Sequence, residues 1–109
     1  MRKNEIYYAN PDPTVGAEIN KTRPCIIVSP DEMNSTLRTV IIVPITSQER
    51  ELPTRVLLDL KGTGLEKESW AVLDQIRVID KSRLQSKIGS ISRKKAEEIS
   101  FRLCEMLKA

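Results

Sequence analysis

The chain contains no histidine, so no imidazole serves as general acid or base, and its acidic residues fall in no spacing that builds a metal site. Its two cysteines, Cys25 and Cys104, lie far apart, each inside an apolar pattern. Neither a zinc motif nor a disulfide framework is indicated, and both are expected to be small buried hydrophobes. Chemistry must therefore come from carboxylates, guanidiniums and hydroxyls. Three such groups stand where the chain changes conformation: Glu18 in a polar loop, Arg23 at a strand entrance and Thr46 where a strand opens into a loop. Arginine keeps its proton to a pKa above about 12, so Arg23 offers charge and directed donors and cannot act as a base. By residue type alone, an Arg or Thr at a strand edge is usually solvated or paired with a neighbour, and a loop carboxylate is ordinarily a solvated charge.

These residues depend on the elements around them. Residues 6–9 form a β-favouring run stopped by Asn10, Pro11, Asp12 and Pro13, because proline has no backbone donor. A long polar loop carrying Glu18 and Lys21 runs to Thr22. Pro24 pushes Arg23 toward an extended backbone, and residues 25–28 continue as a strand of buried character. Ser29, Pro30, Asp31 and Asn34 supply turn chemistry, after which residues 39–43 form a β-branched run that Pro44 is expected to end or push to an edge. Residues 56–60 read as another strand, and residues 61–64 as a hairpin connection. The longest strand candidate is 70–79. Alternation there places Trp70, Val72, Ile76 and Val78 on one face, with Ala71, Leu73, Gln75, Arg77 and Ile79 on the other.

Ser92 is expected to cap a helix through Leu107, since Ala96, Ile99, Leu103, Met106 and Leu107 recur at helical spacing with Cys104 at the margin. Phe101 falls outside that stripe, either a lone exposed aromatic or a partner contact. Short strands with one terminal helix give a mainly β, α+β chain: a small antiparallel barrel or strongly bent sheet, partly covered by the helix.

At 109 residues, 39% hydrophobic and 30% charged, the chain suits one compact globular unit. The net charge of +3 weakly favours a polyanionic partner. Between Arg77 and Lys95 the basic residues are interrupted by Asp80 alone, a stretch that either faces phosphates or is simply solvated. The N-terminal residues show no signal-peptide core and no apolar run approaches a membrane span, so the expected location is the cytoplasm, away from any membrane.

Asp12-Pro13-Thr14, Gly16, Glu18 and Arg23-Pro24 ahead of the 25–28 strand resemble the N-terminal half of the MazF/PemK toxin family. The likeness continues through Asn34, Pro44-Ile45-Thr46-Ser47-Gln48, Asp74-Gln75-Ile76-Arg77, Asp80, Arg83-Leu84 and Lys87-Ile88-Gly89. These blocks run through nearly the whole chain in family order. The family's Gly before the first strand is Asn4 here, and its Gln and Gly after the loop Glu are Ile19 and Lys21. The resemblance implies a single toxin domain over 1–109 with a Src-homology-like β-barrel of about five to seven strands, a C-terminal helix and a homodimer. It further implies sequence-specific cleavage of single-stranded RNA, translation arrest and silencing by a cognate antitoxin.

RNA carries its own nucleophile, the ribose 2′-hydroxyl, so an enzyme need only orient it, assist proton removal and stabilise charge at phosphorus. By matching residues, the resemblance makes Glu18 the base, Arg23 the phosphate-holding cation and Thr46 a donor to a non-bridging oxygen, with no metal or cofactor. The products carry 2′,3′-cyclic phosphate and 5′-hydroxyl ends. It makes Ser47, Gln48, Gln75, Arg77 and Lys21 RNA contacts, although Gln75 and Arg77 are equally explained as a cross-strand polar pair. Trp70 is expected in the core. Two other readings stay open: a non-enzymatic toxin like CcdB that binds DNA gyrase, and an inactive adaptor using the basic stretch.

Overall fold

A computed structural model describes residues 1–11 and 22–109. Strand β1, Glu5–Ala9, opens the chain, and Asn4 just before it has φ 75°. That left-handed region favours glycine and, after it, asparagine. The Gly-to-Asn departure at this position thus keeps the same backbone. Strand β2, Arg23–Ile27, pairs antiparallel with β1. A short helix α1, Asp31–Thr36, follows where the sequence indicated only turn chemistry. Its buried Asn34 explains the turn: the Asn34 amide donates to the Ser29 carbonyl, and the Ser29 hydroxyl bonds Asn34 while accepting the Ile41 N–H.

Strand β3, Thr39–Thr46, runs straight through Pro44, so proline neither ends it nor lies on an edge. The reason lies in the ladder. The Val28 N–H bonds the Ile41 carbonyl, and Cys25 stands opposite Pro44 in the same register. Alternation then turns the Pro44 nitrogen away from β2, toward the other side of β3, where no donor is needed. On that side β3 meets two strands end to end, β5 (Trp70–Val72) and β6 (Arg77–Asp80). Pro44 falls between them. The expected single strand over 70–79 is therefore broken: Val43 and Pro44 face Val72 through Ile76, and the surplus folds into a 3-10 turn, Leu73–Gln75.

Strand β4, Arg55–Leu57, pairs with β5, starting one residue earlier and ending sooner than expected. Residues 61–64 are a turn inside the long β4–β5 connection rather than the hairpin tip itself, and they pack on strand β7, Leu84–Ser90. The Ser90 N–H bonds the Gly62 carbonyl at 3.0 Å. A Cβ on Gly89 would lie 2.4 Å from the Thr63 carbonyl carbon, so that approach requires glycine.

The seven strands form an antiparallel sheet in the order β4-β5-β3-β2-β1-β7, with β6 on β3. The path ends at β4 and β7 without pairing them, so the expected barrel is a curled, unclosed sheet. Register shifts between β1 and β7 mark bulges, which bend strands. Curling gives β2 two buried faces. Ile26 packs with Ile6, Val43, Val56 and Leu73, whereas Cys25 and Ile27 pack with Ala9, Val40, Ile42 and Ile79. Each fully buried isoleucine contributes about 1.5–3 kcal/mol of transfer free energy.

Helix α2, Arg93–Leu107, begins as the sequence indicates, with the Ser92 hydroxyl accepting the Lys95 N–H at 3.3 Å. Ala96, Ile99 and Leu103 close one end of the first core. Beyond Leu103 the stripe leaves the body: Met106 and Leu107 are exposed, as is Cys104, contrary to the expected burial. Cys25 and Trp70 are buried as expected.

Candidate functional site

Two strand ends make the site. Continuing the Cys25–Pro44 register by two residues brings Arg23, the first residue of β2, abreast of Thr46, the last of β3. Pro24 holds Arg23 extended, and β1 fixes it from the other side through its Ala9 pairing. Both residues line a cavity of about 650 Å³, together with Ser47, Gln48, Gln75, Arg55 and Ser69. Thr46 accepts the Gln48 N–H at 3.2 Å through its hydroxyl oxygen. That leaves the Thr46 hydroxyl hydrogen to donate elsewhere.

A second cavity of about 440 Å³ is lined by Pro11, Arg23, Pro44, Gln75 and Arg77. Arg23 and Gln75 line both cavities. Gln75 reaches this position because the 3-10 turn carries it off the sheet, and Arg77 because β6 resumes pairing with β3 at Ile42. Their shared wall thus survives the break in the strand that the alternation argument assumed. The structure brings Arg23, Thr46, Ser47, Gln48, Gln75 and Arg77 together; Glu18 and Lys21 lie outside the described residues.

Arg55 was missed in the sequence. It starts β4 as Arg23 starts β2, and its Nε lies 3.4 Å from Asp74 Oδ1. A strand-entering arginine was the available signal, obscured because the strand was read as beginning at Val56. Within the basic stretch from Arg77 to Lys95, several side chains are engaged by the chain itself. Lys87 pairs with Glu5, Arg93 with Glu97 and Lys95 with Glu98, while Arg83 donates to the Asn10 carbonyl. Among the described residues, no group of three or more His, Cys, Asp or Glu side chains gathers where an ion could sit. No helix among them is long and apolar enough to cross a membrane.

A curled antiparallel sheet with a terminal helix, and a polar cavity holding an arginine beside a threonine at paired strand ends, describe a class that recurs among known proteins. Residues 2–107 match the family of PemK-like, MazF-like toxins of type II toxin-antitoxin systems, and the chain belongs to that family. It is similar to Endoribonuclease EndoA of Bacillus subtilis (strain 168), 39% identical over 90 residues, covering 81% of this chain and 78% of that protein. It is also similar to Endoribonuclease MazF of Staphylococcus saprophyticus, 35% identical over 102 residues, covering 92% and 85%. Its fold matches a mycobacterial endoribonuclease solved in complex with its cognate antitoxin, with TM-score 0.81 and 21% identity over 98% of this chain and 94% of that one.

Proposed function

We propose that this chain is a cytoplasmic endoribonuclease toxin that cuts single-stranded RNA at specific sequences by metal-independent attack of the ribose 2′-hydroxyl. Family membership and relatives named endoribonucleases support the reaction class. The observation that carries the chemistry is the placement of Arg23 and Thr46 on one cavity wall at the ends of β2 and β3.

Arg23 holds the scissile phosphate, and its fixed positive charge answers the negative charge that grows on the non-bridging oxygens as the 2′-oxygen attacks. The Thr46 hydroxyl donates to one of those oxygens. Glu18 takes the 2′ proton, a role that comes from the family resemblance. Attack forms the bond from the 2′-oxygen to phosphorus and breaks the bond to the 5′-oxygen, which takes a proton from water as it leaves. The ends are a 2′,3′-cyclic phosphate and a 5′-hydroxyl. Ser47, Gln48, Gln75 and Arg77 hold the strand on either side, with Lys21 from the loop.

The working form is a homodimer of one toxin domain per chain, arresting translation until a cognate antitoxin covers the groove. A likeness to a toxin solved with its antitoxin supports that partner. Incubating the purified protein with a long RNA in excess chelator, then mapping cut positions and end groups, tests the reading. Discrete cuts with cyclic phosphate ends are expected; intact RNA, or cuts that need added metal, would overturn it.

A further inference from the structure

The second arginine of the site is held differently from the first. Arg55 lines the cavity of Arg23 and Thr46 and also an adjoining cavity of about 440 Å³ walled by Trp70, the one lining residue these two share among the described residues. Its side chain is only 12% exposed, and its Nε is engaged by Asp74, whose side chain is 41% exposed. Arg23 has no carboxylate partner among the described residues.

Pairing changes what an arginine can do. The Asp74 carboxylate offsets part of the Arg55 charge, so the pull on the RNA backbone is weaker than that of Arg23. Directed hydrogen bonding remains. With Nε engaged, the two terminal nitrogens remain as a planar fork whose freedom is restrained by the carboxylate and by burial. Such a fork matches two adjacent acceptors on one base edge, as guanine offers at O6 and N7. In unpaired RNA that edge is open to a side chain.

We infer that Arg55, oriented by Asp74, is a specificity-determining residue that reads a guanine next to the scissile phosphate. The inference rests on the ribonuclease reading above. Asp74 is a positioning residue, and Arg23 supplies the phosphate charge.

The test is competitive cutting of a pool of single-stranded RNA randomised on both sides of the cut by the wild type, Arg55→Lys and Asp74→Asn, at several salt concentrations. The wild type should prefer guanine at one position. Arg55→Lys keeps the charge but loses the fork, and should relax that preference by about 10- to 100-fold without altering the other positions. Asp74→Asn is nearly isosteric and on the exposed side of the pair, which guards against a folding artefact. It should relax the same position and steepen the salt dependence of binding, since an uncompensated Arg55 then attracts phosphate. A wild-type motif without guanine, or an unchanged motif cut uniformly more slowly by both variants, would overturn the inference while leaving the ribonuclease reading intact. A wild type that cuts no RNA would remove both.

Discussion

At the scale of single residues, the proposed reaction divides its work between a charge, Arg23, and a hydroxyl, Thr46. Arg23→Ala or Thr46→Ala should each lower the cleavage rate by about 100- to 1000-fold, the usual cost of one donor lost from a developing oxyanion. Single-turnover cleavage of a short RNA, with melting curves to show intact folding, checks this. Another residue pair makes a claim about pH. Burial would push the Glu5 carboxyl up, but hydrogen bonds from Lys87 and the Arg2 N–H outweigh it and hold Glu5 below its ordinary 4.5. The bond to Glu5 holds Lys87 above its ordinary 10.5. A lowered carboxyl pKa gives stability that is present above the unfolded value and lost as pH falls through the folded one. A raised ammonium pKa gives stability that is present below its unfolded value and lost as pH rises through the folded one. Tyr7, which donates to Glu5, is likewise held above its ordinary 10.0 by burial and by Glu5. The stability difference between wild type and Glu5→Gln, read from denaturant midpoints, should therefore stay level between about pH 4.5 and 10.0 and shrink on either side.

At the scale of elements, the joint between β7 and the β4–β5 connection is the most exacting contact. A methyl on Gly89 meets the backbone of Gly62 and Thr63, which cannot rotate aside. Gly89→Ala should cost about 1–3 kcal/mol, as overpacking does, because β7 ends at Ser90, two residues before the Ser92 cap of α2, which leaves little slack for the strand to move aside. Equilibrium unfolding in urea measures it. Which elements were legible follows from the same kind of detail. Strands β1 and β2 and the start of α2 could be read because proline, β-branched residues and a capping serine act locally. The break at Leu73–Gln75 could not, because its cause is Pro44 on a neighbouring strand, and alternation within residues 70–79 carries no trace of a missing partner donor. Arg23 and Thr46 could be placed at strand ends from their own neighbours, but their meeting depends on register. Arg55 depended on a strand boundary one residue earlier than the pattern showed. The outer end of α2 misled for another reason: helical spacing tells which residues share a stripe, not whether the body extends far enough to cover it.

At the scale of the whole molecule, the modest net charge of +3 is less telling than where cations meet cavities. Much of the basic stretch is spent on neighbouring carboxylates, so RNA affinity should fall with salt as if a few phosphates were neutralised, with a slope near −0.7 for each contact to a single strand. Binding of a fluorescent RNA to the Thr46→Ala variant over a salt series gives that slope; independence from salt would contradict the picture. Pro44 lines the cavity of Arg23, Gln75 and Arg77, at the place where the sheet is interrupted. The registers of β5 and β6 on β3 differ by three residues, and Pro44, which offers no amide hydrogen, stands where that surplus is folded away. The imino acid leaves one rung out of the ladder, and under the proposed function that gap is where Arg23, Gln75 and Arg77 would meet a nucleotide strand.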